Sequence, residues 1–166
     1  MTPAYEFAKE IKEIGDQLGA AVLTKDYLKL TQAVIEVESA FVSLRTKYEP
    51  HYKYTIGIPD FAHKLGISES TEEVFQKVSW GLMQVMGGVA REYGFQGHLL
   101  ELCSTPTYGL YFGMRHLFNY YKRYKNMPDA IAAYNAGSPR RIAGGGPYEN
   151  QQYVDKVLAA FKRRTG

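Results

Sequence analysis

Apolar side chains recur along most of the chain with the spacing of an amphipathic helix. The first such stripe covers residues 5–18, and a second follows Thr24, which we predict to be an N-cap. The second stripe consists of side chains at helical spacing: Tyr27, Leu30, Val34, Val37 and Phe41. The pattern therefore predicts two consecutive helices at the start of the chain.

Five later segments carry the same helical period. Thr105 followed by Pro106 is typical of a helix start, and Gly137 is typical of a helix end. The segments are predicted to run from Ser70 to about Ser79, from about Gln84 to Tyr93, from Pro106 to about Tyr124, from Asp129 to Ala136 and over residues 150–164. The third has apolar or aromatic side chains on most sides, which predicts a helix in the middle of the fold.

Residues 42–62 break the helical pattern, because tyrosine, proline and glycine are frequent there. This composition predicts an extended loop or a short hairpin. With 166 residues and no linker, the chain is predicted to form a single domain. The expected fold class is mainly α, with a short irregular or β-hairpin segment near residues 45–60.

Composition argues against several classes of function. The single cysteine, Cys103, and four scattered histidines fit no metal-ligand spacing, so we expect neither a metal site nor a cofactor. A net charge of +3 without a reader motif argues against nucleic-acid binding. The chain has no apolar run long enough to span a membrane, and charges interrupt its start, so we expect no membrane insertion and no signal peptide. We expect a monomer.

Glu38 is the first residue that the apolar pattern does not explain. It lies four residues after Val34 and next to Val37, so it borders the apolar stripe of its own helix. Burial disfavours the charged form of a carboxyl group, and a glutamic acid that stays protonated can act as a general acid near neutral pH. The alternative is an acid near a helix end that a hydroxyl or amide of Ser39 or a neighbour satisfies.

Four short motifs follow one another along the chain, each on a predicted helix or turn. They are VESAF at 37–41, SWGLMQ at 79–84, AAYNAG at 132–137 and QYVDKV at 152–157. Together they resemble the soluble lytic transglycosylases, which are relatives of goose-type lysozyme. The resemblance covers about residues 27–160. We therefore predict an extra N-terminal helix over 1–23 and a family core over 24–164 within the single domain.

The resemblance implies a lysozyme-like domain that cuts the β-1,4 bond between N-acetylmuramic acid and N-acetylglucosamine in peptidoglycan glycan strands. Glu38 matches the family's catalytic acid/base, which protonates the glycosidic oxygen and later takes a proton from the C6 hydroxyl. That second transfer closes a 1,6-anhydro ring. Because the substrate's N-acetyl group supports the positive charge, one protein carboxylate is enough on this interpretation.

Three further motif residues are implied to form the substrate cleft. Met83 and Gln84 would line it, and the Gln84 amide can both donate to and accept from an N-acetyl group. Ser39 would tie the end of its helix to the following loop, with simple capping as the alternative. Without the resemblance, Met83 is more typical of a core side chain.

Two aromatic residues and an amide near the C-terminus complete the implied site. Tyr134 would lie against the sugar or Glu38, and Asn135 would hold the following turn through local hydrogen bonds. Tyr153 matches a family tyrosine whose hydroxyl reaches the catalytic carboxylate. Without the resemblance, both tyrosines are more typical of packing.

The chain departs from the family pattern between Glu38 and Gln84, where residues 46–54 form a tyrosine-rich insertion. It is predicted to be a cleft wall or lid in which Glu49 contacts substrate. Glu49 or Asp60 would alternatively activate water, which would make the enzyme an inverting hydrolase like goose-type lysozyme. Glu49 also fits a loop-organising acid. A further alternative is a glycan-binding module without catalytic activity.

The implied substrate lies outside the cytoplasmic membrane, whereas the start of the chain suggests synthesis without an export signal. We therefore expect a protein made in the cytoplasm that reaches the cell wall or periplasm. A phage lysis enzyme, a virion component and a secretion-apparatus component all fit this expectation.

Overall fold

The computed structural model describes residues 7–166 and divides into two compact units. Unit 1 comprises the chain up to Phe41 and from Met114 onwards, and unit 2 comprises Val42–Gly113. The described residues form these elements: α1 (Ala8–Leu18), α2 (Ala20–Leu23), α3 (Tyr27–Ser39), β1 (Thr46–Tyr48), α4 (Ile58–Leu65), α5 (Glu69–Gln76), β2 (Val78–Trp80), β3 (Val85–Met86), α6 (Gly87–Glu92), α7 (Glu101–Ser104), α8 (Pro106–Tyr124), α9 (Met127–Ala136) and α10 (Gln151–Thr165). The fold is mainly helical, as the sequence predicts. Within residues 7–166, no helix combines the length and apolar character that crossing a bilayer requires.

The core of unit 1 is built from the apolar stripes of its helices. Helix α3 packs against α1 and α10, and α10 also packs against α9. Fully buried side chains of this core include Ile11, Leu30, Ile35, Leu117, Ile131, Val154 and Val157. Burial of each such side chain contributes about 1.5–3 kcal/mol relative to exposure. This packing brings α10 alongside α3, the helix that carries Glu38.

Several predicted helix ends are confirmed. Helix α8 begins at Pro106. The first backbone amides of a helix have no partner within the helix, so proline loses no hydrogen bond at this position. Helix α9 ends at Gly137, whose φ of 80° is the left-handed conformation that glycine adopts without strain. The side chain of Asn126 caps the start of α9 by accepting from the amide of Asp129. The last helix, α10, lies where the sequence predicts it.

The second predicted helix differs at both ends. It begins at Tyr27 rather than directly after Thr24, because a turn at Lys25 and Asp26 lies between them. The Thr24 hydroxyl accepts a hydrogen bond from the Asp26 amide at 3.2 Å, which organises that turn instead of capping α3. The apolar stripe also stops early, since Ala40 and Phe41 leave the helix with φ values of 50° and 63°.

Unit 2 is organised around a three-stranded antiparallel sheet in the order β1-β2-β3. Thr46 pairs with Trp80, and Trp80 pairs with Val85 on its other side. The sheet and the nearby helices enclose one apolar cluster: Val78, Trp80, Val85, Val89, Ala90, Phe95, Leu99, Leu102, Cys103 and Phe112. The Trp80 indole donates to the Phe75 carbonyl at 3.0 Å, so its polar edge is satisfied inside the cluster.

Residues 46–65 of unit 2, which begin with the insertion, are part strand, part loop and part helix. Residues 49–57 are irregular, as predicted. Strand β1, however, pairs with β2 rather than forming a local hairpin. Helix α4 begins at Ile58 and was not predicted from the sequence, because Pro59 follows directly. Proline is tolerated in a first helical turn, since the amide it lacks has no partner there.

The motif segment 79–84 forms the end of β2 and the turn before β3. Its sequence instead predicts helix on either side of Gly81. Helix α5 starts after Ser68, whose hydroxyl accepts from Thr71, and ends at Gln76. Strands β2 and β3 follow, so the predicted extension to Ser79 and the predicted helix start at Gln84 are wrong. Glycine is required at position 81, because a Cβ there would lie 2.6 Å from the Leu102 carbonyl oxygen and φ is 71°.

Candidate active site

Glu38 lies in the last turn of α3, in unit 1, with its side chain partly buried. The Tyr153 hydroxyl, in the first turn of α10, donates to Oε1 of Glu38 at 2.6 Å. This distance is typical of a hydroxyl bound to a carboxylate. Two residues 115 positions apart are therefore joined by a strong hydrogen bond, and the contact that the resemblance implies is present.

The environment of Tyr153 keeps its phenol protonated. Burial raises the pKa of Tyr153 well above its ordinary value, and the Glu38 carboxylate and Tyr134 raise it further. A phenol that does not ionise remains a hydrogen-bond donor over the whole range of ordinary assays. Tyr153 is thus a fixed donor to Glu38, and Tyr134 belongs to the same electrostatic environment.

Tyr134 is partly buried in an aromatic group of unit 1 that includes His116 and Tyr120. The ring centroids of His116 and Tyr134 are 5.5 Å apart, and those of His116 and Tyr120 are 4.8 Å apart. Burial lowers the pKa of His116 to about 4, so the imidazole is neutral near pH 7. The Tyr120 hydroxyl donates to the Gly137 carbonyl at 3.2 Å, which connects this group to the end of α9.

Asn135 holds its turn through a distant residue. Its Oδ1 accepts a hydrogen bond of 2.9 Å from Nδ2 of Asn150, and the same nitrogen donates to the Ala132 carbonyl at 3.0 Å. This contact with Asn150 was not predicted from the sequence. This side chain ties the residue before α10 to the end of α9. The two helices that carry Tyr134 and Tyr153 are thereby joined at their adjoining ends.

A second contact fixes the loop between α9 and α10. The Tyr148 hydroxyl donates to the Asp129 carboxylate, and the Arg141 guanidinium lies 4.1 Å above the Tyr148 ring. Burial and the Asp129 carboxylate raise the pKa of Tyr148 to about 12. The loop thus returns to the first turn of α9 before it enters α10.

Gln84 lies in unit 2, and its side-chain amide bonds to three groups of that same unit. Its Nε2 donates to the carbonyls of Arg45 and Gly81, both at 2.9 Å, and its Oε1 lies 3.0 Å from the Ser79 hydroxyl. Its φ of 50° is left-handed, a strained conformation for a non-glycine residue. The amide therefore maintains the turn that the motif forms.

Two residues predicted to act at the cleft have fully buried side chains. Met83 is 0% exposed in the core of unit 2, where it lies so close to Gly113 that a Cβ at position 113 would overlap it. Ser39 is 0% exposed in unit 1, and its hydroxyl donates to the Ile35 carbonyl of its own helix at 3.1 Å. This burial favours the core alternative for Met83 and a contact within its own helix for Ser39, and their contact with substrate stays a prediction.

Glu49 forms an ion pair in unit 2 instead of standing alone in a loop. Its Oε1 lies 2.6 Å from Nζ of Lys47, and its amide donates to the Lys77 carbonyl at 2.8 Å. These contacts favour the loop-organising alternative. Asp60 is exposed in the first turn of α4, a position where a negative charge stabilises the helix.

Comparison with known proteins decides the family. The family model described as the transglycosylase SLT domain matches residues 20–152, which is well over half of the chain. The chain belongs to the transglycosylase SLT domain family. No curated protein and no solved structure matches the chain.

Membership of the SLT family supports lytic transglycosylase activity on peptidoglycan and a lysozyme-like fold. The matched segment contains Glu38, Gln84, Tyr134 and Asn135 and ends one residue before Tyr153. Helix α1 lies before it. Within residues 7–166, no group of three His, Cys, Asp or Glu side chains is arranged to hold a metal ion.

Two residues that contact Tyr134 or Asn135 were missed by sequence reasoning. His116 is one of four scattered histidines, and only its position in the central helix α8 indicates that it is buried. Asn150 precedes α10, and a polar residue at that position is typical of a cap. Its actual partners lie on α9, which no local pattern reveals.

Proposed function

We propose that this SLT domain is a peptidoglycan lytic transglycosylase in which Glu38 acts first as general acid and then as general base. The proposal is supported mainly by the hydrogen bond of 2.6 Å between Tyr153 and the partly buried Glu38. A partly buried carboxyl group that a neutral phenol holds in one orientation is suited to reversible proton transfer. The site of action that follows is the cell wall.

In the first step, the protonated Glu38 gives its proton to the oxygen of the glycosidic bond. The bond between that oxygen and C1 of the muramic acid breaks, and the N-acetylglucosamine end leaves as an alcohol. The positive charge that develops at C1 is shared with the carbonyl oxygen of the neighbouring N-acetyl group. This participation makes a second protein carboxylate unnecessary.

In the second step, the Glu38 carboxylate takes the proton of the C6 hydroxyl on the same sugar. The C6 oxygen forms a bond to C1, which closes the 1,6-anhydro ring and returns Glu38 to its protonated state. Tyr153 contributes by orienting the carboxylate during both transfers, because its own proton does not leave at ordinary pH.

Glu38→Gln tests the proposal, because glutamine keeps the shape of the side chain and has no proton to transfer. We expect the variant to fold normally by circular dichroism and to lose lysis of purified cell walls by at least about a thousandfold. Glu13→Gln, at an exposed glutamate of α1, is the matched control and should retain wild-type activity. Turnover by Glu38→Gln close to that of the control would refute the assignment.

Mass spectrometry of the products separates the transglycosylase from the hydrolase alternative. We expect 1,6-anhydro ends, and we expect Glu49→Gln to keep activity within about twofold, since its ion pair with Lys47 lies at the surface. Reducing ends in the products, together with a large loss in Glu49→Gln, would instead identify an inverting hydrolase. Binding of glycan without any cleavage would identify a non-catalytic module.

A further inference from the structure

Both ends of α10 bind the last turn of α3. At the start of α10, Tyr153 donates to Glu38, and at its end Arg163 and Arg164 bind Glu36. Glu36 and Glu38 are two residues apart, so they point to different sides of α3. Helix α10 therefore contacts two sides of the α3 turn that carries Glu38.

The contact at the end of α10 uses both oxygens of one carboxylate. Nη2 of Arg163 lies 2.5 Å from Oε1 of Glu36, and Nη2 of Arg164 contacts Oε2. Burial opposes ionisation of Glu36, but hydrogen bonds from Arg164 and Arg163 outweigh it and lower the pKa of Glu36 below its ordinary value. We call this group of three residues the arginine clamp.

Arg164 is the inner member of the arginine clamp. Its side chain is 12% exposed, against 61% for Arg163, and its Nη1 donates to the Ala160 carbonyl at 3.0 Å. Its Nε is buried without a hydrogen-bond partner among residues 7–166. A buried donor without a partner is destabilising. Packing alone would therefore favour an apolar side chain over arginine at this position.

The arginine clamp also borders a strained stretch of backbone. Ala40 and Phe41, directly after α3, are consecutive non-glycine residues with left-handed φ values of 50° and 63°. Such conformations persist only where surrounding contacts enforce them. The Arg164 guanidinium lies 6.0 Å from the centre of the Phe41 ring, within reach of a cation–π interaction. Arg164 therefore contacts α3 through Glu36 and the chain that leaves α3 through Phe41.

We propose that Arg163 and Arg164 are positioning residues, which hold Glu36 at one end of α10 and thereby keep the Tyr153 hydroxyl aligned with Glu38 at the other. A helix held at both ends resists rotation and sliding, whereas a helix held at one end can shift. A displacement of about 1 Å is enough to misalign a catalytic contact. The part of this inference that concerns catalysis rests on the proposed function.

Arg164→Met tests the arginine clamp, because methionine keeps apolar bulk and removes the charge. Lys162→Met is the matched control: it removes the same charge from an exposed residue in the same helical turn. We expect Arg164→Met to lower kcat about tenfold with little change in KM. We also expect the alkaline limb of its pH–rate profile to move to higher pH, because a carboxylate that loses a donor is less readily ionised. Indistinguishable behaviour of the two variants would overturn the inference.

A double-mutant cycle separates alignment from general stability. In a Tyr153→Phe background the hydroxyl to be aligned is absent, so Arg164→Met should lower kcat by less than about twofold. A full tenfold loss in that background would overturn the inference. If Arg164→Met fails to fold, Glu36→Gln replaces it in the same cycle, because it removes the opposite charge while keeping the side-chain shape.

A measurement without substrate keeps the inference independent of the proposed function. In protein labelled with ¹³C at tyrosine Cζ, the Tyr153 phenol of the wild type should titrate well above the ordinary range. In Arg164→Met its titration should move towards the ordinary value, because the Glu38 contact weakens. An unchanged titration would overturn the arginine clamp. Full activity of Glu38→Gln would instead remove only the proposed function.

Discussion

Each of the two units contains a buried or partly buried glutamate, and the hydrogen-bond partners of these two side chains differ. In unit 2, Glu72 is 0% exposed and receives hydrogen bonds from Nε and Nη2 of Arg91 at 2.8 and 3.0 Å. In unit 1, Glu38 is partly exposed and receives its bond of 2.6 Å from the neutral phenol of Tyr153. Glu72 thus has a bidentate cationic partner, whereas Glu38 accepts a hydrogen bond from a neutral donor. Burial alone therefore does not distinguish the candidate catalytic carboxylate from a structural one.

The surroundings of Glu72 explain why it is structural. Gln76 donates to Glu72 at 2.9 Å and also exchanges two hydrogen bonds of 2.8 Å with the backbone of Ile56. Arg91 further donates to the carbonyls of Phe95 and Gly97. The pair thus joins α5 to α6, and Gln76 joins α5 to the irregular residues 49–57. Each of these contacts is made within unit 2.

The charges of the two units also differ. The sequence of unit 1 contains fourteen Lys and Arg against ten Asp and Glu, and that of unit 2 contains six against seven. A net positive charge attracts an anionic polymer, and the stem peptides of peptidoglycan carry carboxylates. The unit that carries Glu38 is therefore the one whose charge suits the proposed substrate.

The largest expected effect is that of Glu72→Gln, which tests whether the pair in unit 2 is purely structural. The change leaves Arg91 buried without its counter-charge, so we expect a loss of about 3–5 kcal/mol in the free energy of unfolding. Urea denaturation measures it, with Glu73→Gln as the exposed control. At temperatures where the variant is folded, its pH–rate profile should match the wild type. A loss below about 1 kcal/mol would contradict this account of unit 2.

A second expected effect concerns the acid stability of unit 1. His116 has a pKa of about 4 when folded and about 6.5 when unfolded, so the unfolded state binds more protons between these values. The contribution of His116 to the free energy of unfolding is therefore constant above about pH 6.5. It decreases as the pH falls, by about 3 kcal/mol at pH 4. His116→Gln should remove this pH dependence from urea denaturation curves, and His98→Gln, at an exposed site, should not. If the free energy of unfolding depends on pH in the same way for all three proteins, burial does not lower the pKa of His116.

Tyr153→Phe has the smallest expected effect on stability, and it sharpens the contrast between the two glutamates. Removing the hydroxyl should change the free energy of unfolding by only about 0.5–1.5 kcal/mol. The rate of wall lysis should fall about tenfold, and its alkaline limb should move to higher pH, because the ionised form of Glu38 loses a donor. Tyr108→Phe, at an exposed position in unit 2, is the control. An unchanged pH–rate profile would mean that Tyr153 only packs.

The ends of helices α8 and α9 could be predicted from the sequence, because their signals are local. Pro106 and Gly137 mark helix ends through the restrictions of their own backbones. A short β segment near residues 45–60 was predicted, but the pairing of the three strands of unit 2 was not, for the opposite reason. Strands of two or three residues are too short for an alternating pattern, and the partner of Tyr48 is Val78, thirty positions later. The candidate site was predicted from motifs, and the burial of Met83 and Ser39 shows that a motif residue can lie in the core.

By itself the sequence determined the helical period, several helix ends and the motif set of the SLT family, because each depends on residues that are close along the chain. Only the tertiary structure decided that Arg91 neutralises Glu72, that Asn150 holds Asn135 and that α10 binds α3 at both of its ends. These contacts join residues 15 to 128 positions apart. Their geometry depends on how packed helices align side chains in space, which no local pattern of residues encodes.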